Sequence, residues 1–368
     1  MRNYTLTLRT EAPVFVGSGE TIGKKEYLFL PAQRLVCIPD MVKMFSDFER
    51  RHLTGAYEKY LLRDGRDFAA WLREKGVITP GRRLPPWIAY SVDSTDAVFE
   101  NRGKKEILTF SKDAYGCPYV PGSSVKGMLR TVLLSALILH NRDKLSAEAQ
   151  AVRQADLRMS RPRLLAREAG RLEQRFLHTL NRPDVPPANK VNDMMSGLRI
   201  SDSQPLSAAD LVLCQKIDVT TEGQQKRMPI LRECLRPGVE ISFSLTMTEN
   251  FPYPAERLLR AAERCRAVYE QCFRASFPAG DIRGDGTVYL GGGCGYAAKT
   301  FVYPLLGRGG VETVSKIIDS TLSIHARDQH KHRLDRQKGA APHMLKCTQY
   351  QKRLYEMGAC SVAIAEVP

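Results

Sequence analysis

With its polar and arginine-rich stretches set aside, the chain reads strand, helix, strand, strand, helix, strand, and that order restricts the fold more than any single motif does. Tyr4–Thr10 alternates, with Tyr4, Leu6 and Leu8 on one face and Thr5, Thr7 and Arg9 on the other. Val125–His140 repeats at helical spacing through Met128, Leu129, Val132, Leu133, Ala136 and Leu137. Leu198–Ser203, Leu211–Val219 and Val239–Met247 have strand composition, Ala255–Phe277 is an amphipathic helix, and Leu354–Ile364 closes the pattern as a strand. This is the βαββαβ order of a ferredoxin-like α+β core. Only one such set can be assembled without sharing strands, so residues 1–368 are expected to form a single decorated core.

The decorations have their own signatures. Tyr27–Leu30 and Leu35–Ile38 flank a turn at Pro31–Arg34, and Asp40 stands where a cap would precede the helix Met41–Arg51. Helical insertions are expected at about 41–80 and 141–190, the second followed by a mobile linker over Asn181–Met195. The polar, glycine-tipped stretch around Thr220–Arg227 predicts a protruding β-hairpin over about 218–232. Ser323–Lys338, dense in His, Arg and Lys, is expected to be solvent-exposed or disordered.

A formal charge of +15 and a pI near 9.5 favour polyanionic partners through long-range attraction and counterion release. No segment reads as a membrane span, and Met1–Leu6 begins a strand rather than a leader, so no membrane role is expected. Nine cysteines without a C-x-x-C pair fit a reducing, cytoplasmic compartment.

Two motifs suit a phosphate backbone. Gly291, Gly292, Gly293 and Gly295 follow the apolar Val288–Leu290 and precede Lys299, giving a loop whose N–H groups can form an anion-binding concavity. Gly122-Ser123-Ser124-Val125-Lys126 reads as a loop entering a helix capped by Ser123 or Ser124, with Lys126 and Arg130 on one face near its positive end. Neither glycine stretch is a nucleotide-binding P-loop. Gly293–Thr300 has Ala298 where the last glycine belongs, and Gly17–Lys25 misses the spacing and puts Lys25 where the metal-binding hydroxyl belongs.

Gly17–Leu30 with Ile38-Pro39-Asp40, then Val120–Gly127, then the glycine loop occur in an order that resembles the RAMP proteins of CRISPR effector complexes. Arg199–Ser203 and Tyr355–Cys360 narrow the likeness to the RAMP subunit that caps one end of the type III-A (Csm) effector. The resemblance implies an RRM-like core with a helical lid and a thumb-like hairpin. It implies binding to the 3′-proximal part of the guide RNA, and to target RNA paired with it. It also implies contact with the repeated RAMP backbone subunit and the small helical subunit, and with trimming nucleases of the host. Carried onto this chain, Gly122, Ser123, Ser124, Lys126 and Arg130 would hold guide phosphates. Gly291, Gly292, Gly293, Gly295 and Lys299 would lie along the guide, with Lys24 and Lys25 beside it. Lys226 and Arg227 would form the thumb, with Met228 as an apolar wedge between bases.

Candidates for catalysis are sparse. Glu11, Glu20 and Asp40 lie near the first strand, but Asp40 reads as a cap and Glu20 has no partnering base. Asp202 follows Ile200-Ser201 and reads as a turn residue. His325, His330, His332, His343 and Cys347 could supply zinc ligands, yet Arg327, Lys331 and Arg333 around them favour a solvated basic segment. The expectation is therefore a guide-RNA-binding structural subunit with no catalytic residue, metal or cofactor. The alternatives are a RAMP endoribonuclease that processes precursor guide RNA and a protein-only scaffold.

Overall fold

A computed structural model describes residues 1–63, 65–97, 106–160 and 163–367. Residues 98–105, and 161–162 inside the second insertion, lie outside the described residues.

The expected core is present. One sheet has the order Val288–Tyr289, Ala359–Glu366, Arg2–Thr10, Glu240–Met247, Leu198–Ile200, with every neighbouring pair antiparallel. Leaving out the two-residue edge strand, the order is fourth, first, third, second, as the βαββαβ path requires. Helices Gly122–His140 and Ala255–Cys272 make the two crossings and pack on each other. Tyr4, Leu6 and Leu8 turn inward as their alternation demands, Leu6 and Leu8 completely, each worth about 1.5–3 kcal/mol of burial.

Helix Gly122–His140 is long and apolar enough to cross a membrane, contrary to the reading of the sequence. Its apolarity has another use here. Val125, Leu129, Leu133 and Ile138 are buried in the protein's own core.

The remaining strands form a second sheet of ten, which the sequence does not announce as one unit. Its centre is the hairpin Leu211–Thr220 and Gln225–Leu235. The hairpin does not stand free. Leu211–Thr220 also pairs with Met344–Tyr350, Gln225–Leu235 pairs with Glu106–Phe110, and at the tip Glu222 is bridged to Lys338 at 2.6 Å.

Helices Met41–Arg50, Thr54–Arg63 and Phe68–Glu74 enclose a separate small core around Phe48, Tyr57, Trp71 and Trp87. Asp40 caps the first of them through the Lys43 N–H, as expected. The linker after the second insertion is not mobile in character. Asn192, Met194 and Met195 are buried, and Asp193 is held by Arg130. Ser323–Lys338 is largely exposed, as expected, and folds as helix Ile324–His330, a 3₁₀ turn and a short helix Asp335–Lys338.

Candidate nucleic-acid interface

The two phosphate-type motifs, more than 160 residues apart in sequence, meet at one cleft of about 270 Å³. Ser123, Ser124 and Gly127 line it from the helix, Gly291 and Lys299 from the glycine loop. Its floor is Met128, Tyr269 and Tyr289, with Arg266 at the side. The Arg266 guanidinium lies 5.4 Å from the centre of the Tyr289 ring and donates to its hydroxyl. None of these four floor and wall residues stands out in the sequence: Met128 and Tyr269 read as ordinary helix core, Tyr289 as a strand residue and Arg266 as one of many surface arginines.

The helix start is built differently from the expectation. Pro121 occupies the cap position without a side-chain bond, and neither Ser123 nor Ser124 caps the helix. Asp202 does so from a distant loop, accepting the Gly122 N–H at 2.8 Å, while Ser203 Oγ accepts from Val120 N–H at 3.0 Å. Asp202 is thus a structural acceptor rather than a turn residue. The hydroxyls of Ser123 and Ser124 are left to line the cleft.

Gly122 is a glycine for packing, not for ligand approach. A Cβ there would stand 2.3 Å from the Ser201 carbonyl oxygen. The glycine loop follows the same logic. Gly291 has φ +76° and a Cβ would come 2.0 Å from the Phe15 oxygen, while Gly292 N–H donates to that oxygen at 2.7 Å. Gly293 faces Met357 and Gly295 faces Lys346. Gly291 lines the cleft while its close contacts go to its own chain.

The cations separate into two groups. Arg130 is committed, to Glu173 at 2.8 Å and Asp193 at 2.5 Å, so its charge is neutralised inside the protein. Lys25 donates to the Tyr60 and Leu61 carbonyls at 2.9 and 2.7 Å, closing the end of helix Thr54–Arg63. Arg227 donates to the Asp96 carbonyl at 3.2 Å and to Gln349 at 2.5 Å. Met228 is half-buried with its carbonyl taken by Gln215 at 3.0 Å.

Lys126, Lys24 and Lys226 have no hydrogen-bond or ion-pair partner among the described residues. Burial pushes the Lys126 ammonium below the ordinary lysine range, with Asp193 opposing and Arg130 and Arg199 reinforcing. A half-buried cation lacking a partner is stabilised by an arriving phosphate. Lys299 is exposed and donates only to the Gly291 carbonyl.

Beneath the cleft lies Glu356, 1 % exposed, accepting from the Tyr269 and Tyr289 hydroxyls and 3.3 Å from Arg274. Burial raises its carboxyl above the usual glutamate range despite these partners. The network holds both floor tyrosines in place.

A family model described as the RAMP superfamily matches residues 7–296. The CRISPR system Cms protein Csm5 of Mycobacterium tuberculosis is 32% identical over 390 aligned positions, covering 99% of this chain and 98% of that protein. Csm5 of Streptococcus thermophilus is 26% identical, covering 81% and 80%. Among solved structures, a chain of a Csm–crRNA–target RNA ternary complex from a type III-A CRISPR-Cas system aligns with a TM-score of 0.58 at 16% identity, covering 99% of this chain and all of that one. The crystal structure of T. onnurineus Csm5 aligns at 0.57 and 15%, covering 98% and 99%.

Proposed function

The chain belongs to the RAMP superfamily and, within it, to the Csm5 proteins of CRISPR systems, and on that premise we propose that it is a structural subunit of a type III-A (Csm) effector that holds guide RNA in the cleft between helix Gly122–His140 and the glycine loop. It caps the assembly at the 3′ end of the guide, against the last repeated RAMP subunit and the small helical subunit, and acts in the cytoplasm in antiviral defence. The trimming nucleases that mature the guide meet it there.

The observation that carries this reading is the meeting of Ser123 and Ser124 with Gly291 and Lys299 around one opening, with Lys126 on the same helix start. Hydroxyls, N–H groups and the Lys299 ammonium there recognise phosphate and sugar, which suits a guide whose spacer varies. Lys24 and Lys226 extend the positive surface. The subunit is non-catalytic in this reading. Two of the acidic candidates serve as caps: Asp40 of a lid helix, Asp202 of the cleft helix.

The test is binding of the full chain to labelled guide RNA across a salt series, with the same samples run on denaturing gels. Salt-dependent binding of intact RNA, weakened by Lys126→Ala and Lys299→Ala, supports the proposal. Discrete cleavage abolished by a single His or Asp substitution would replace it with a processing nuclease. Binding insensitive to both lysines would favour a scaffold that meets only proteins.

A further inference from the structure

Between Ser323 and Gly339 the only buried residues are His332 and Asp335. A segment without a buried apolar anchor lacks the usual source of order, yet it forms a helix, a 3₁₀ turn and a second short helix packed on the helix Gly310–Ser320. What it sends inside is a histidine and a carboxylate, and they meet a third polar group, His343, eight residues beyond Asp335. His332, Asp335 and His343 are 5%, 0% and 5% exposed, and one donor atom from each lies within 4.8 Å of the other two.

We propose that His332, Asp335 and His343 form a three-ligand zinc site that cross-links this basic segment to the second sheet. His332 and Asp335 lie three apart on one turn, so both side chains leave the same face. His332 Nδ1 is 3.1 and 3.4 Å from the two Asp335 oxygens, close to the ~3.4 Å edge of a tetrahedron with zinc–ligand bonds of about 2.0–2.1 Å. His343 Nδ1 contacts the same carboxylate. Two imidazole nitrogens and one carboxylate suit zinc, whereas magnesium and calcium take oxygen ligands. A fourth position is left for a water molecule.

Charge points the same way. Among the described residues no lysine or arginine pairs with Asp335, so the desolvation cost of this fully buried carboxylate is not met by a permanent cation. A divalent cation removes that cost. Arg327, Lys331 and Arg333, which from sequence should repel a metal, are exposed and turned away. A zinc cross-link replaces the missing apolar anchor, as metals do in small cores.

The test uses full-length, tag-free protein purified without added metal. Elemental analysis is expected to find about one zinc per chain, and cobalt(II) added after chelation should give the visible absorption of a tetrahedral centre. Chelation alone should open trypsin cleavage at Arg327, Arg333 or Arg336 while the circular dichroism of the core persists. Asp335→Asn and His343→Asn should lose the metal. Folded wild-type protein with no zinc, no cobalt spectrum and an unchanged tryptic pattern overturns the site. Retention of zinc by folded variants places the metal elsewhere and overturns it equally.

Discussion

Asp202 accepts the backbone N–H of Gly122 at 2.8 Å across 80 residues of sequence, so the helix that opens the cleft is capped by the loop following the Leu198–Ile200 strand. Asp202→Ala should destabilise the protein by about 1 kcal/mol, the ordinary worth of a helix cap. Asp202→Asn, which keeps an acceptor, should recover most of that. Urea denaturation of the three proteins decides it, and an Asn variant as unstable as the Ala variant would show that the charge, not the bond, matters.

Lys126 and Lys299 should act on RNA, Arg130 on the fold. The double change Lys126→Ala, Lys299→Ala should reduce the slope of log affinity against log salt by ~1.4 on single-stranded RNA, about 0.7 for each phosphate that is no longer neutralised. Arg130→Ala should leave that slope unchanged and cost roughly 1–2 kcal/mol of stability, because Glu173 and the mostly buried Asp193 are left without their cation. Filter binding and thermal melts on the same preparations separate the two behaviours.

Two glycines that border the cleft should respond in opposite directions. Gly127 sits in a helix, and a Cβ there meets nothing within 4 Å, so Gly127→Ala should stabilise by about 0.5–1 kcal/mol through helix propensity. Gly291→Ala must displace the Phe15 carbonyl and hold a left-handed φ, so it should lower the melting temperature and loosen the loop. Equal melting temperatures for the two variants would contradict the steric account.

Glu356 gives the fold a pH dependence whose sign is set by burial. Its folded value is raised above the ordinary 4.5, so its contribution is fully present below that value and is lost as pH rises through the folded one. Glu356→Gln removes this ionisation while keeping acceptors for Tyr269 and Tyr289. The variant's stability should therefore gain on that of the wild type from acid to neutral pH. A stability difference that stays flat with pH rejects the assignment.

Local periodicity made the core legible. The alternation of Tyr4, Leu6 and Leu8 and the helical spacing from Met128 to Leu137 each report a buried face directly, and the fold order follows from them. The cleft was half legible. Ser123, Ser124, Gly291 and Lys299 carry recognisable chemistry, but nothing local says that Arg130 will find Glu173 and Asp193, or that Lys25 will close a helix end. The cap from Asp202 is invisible for the same reason, since its partner lies 80 residues away. Glu356 sits between Tyr355 and Met357 and carries no signal of its near-complete burial. The Ser323–Lys338 segment is exposed as its composition implies, but apolar periodicity detects only apolar anchors and gives no sign of its two buried residues, His332 and Asp335.

The place of Arg2–Thr10 in its sheet has a bearing on how the protein is made. That strand lies between Glu240–Met247 and Ala359–Glu366, so when it leaves the ribosome both its neighbours are still among much later segments. At bacterial or eukaryotic synthesis rates it waits roughly ten seconds to a minute for the first of them, with Tyr4, Leu6 and Leu8 uncovered. Its partners' distance in sequence makes the closing of this sheet a late event. Chains halted before residue 359 therefore carry an open strand edge, and the yield of intact protein depends on what shields that edge until Ala359–Glu366 is made.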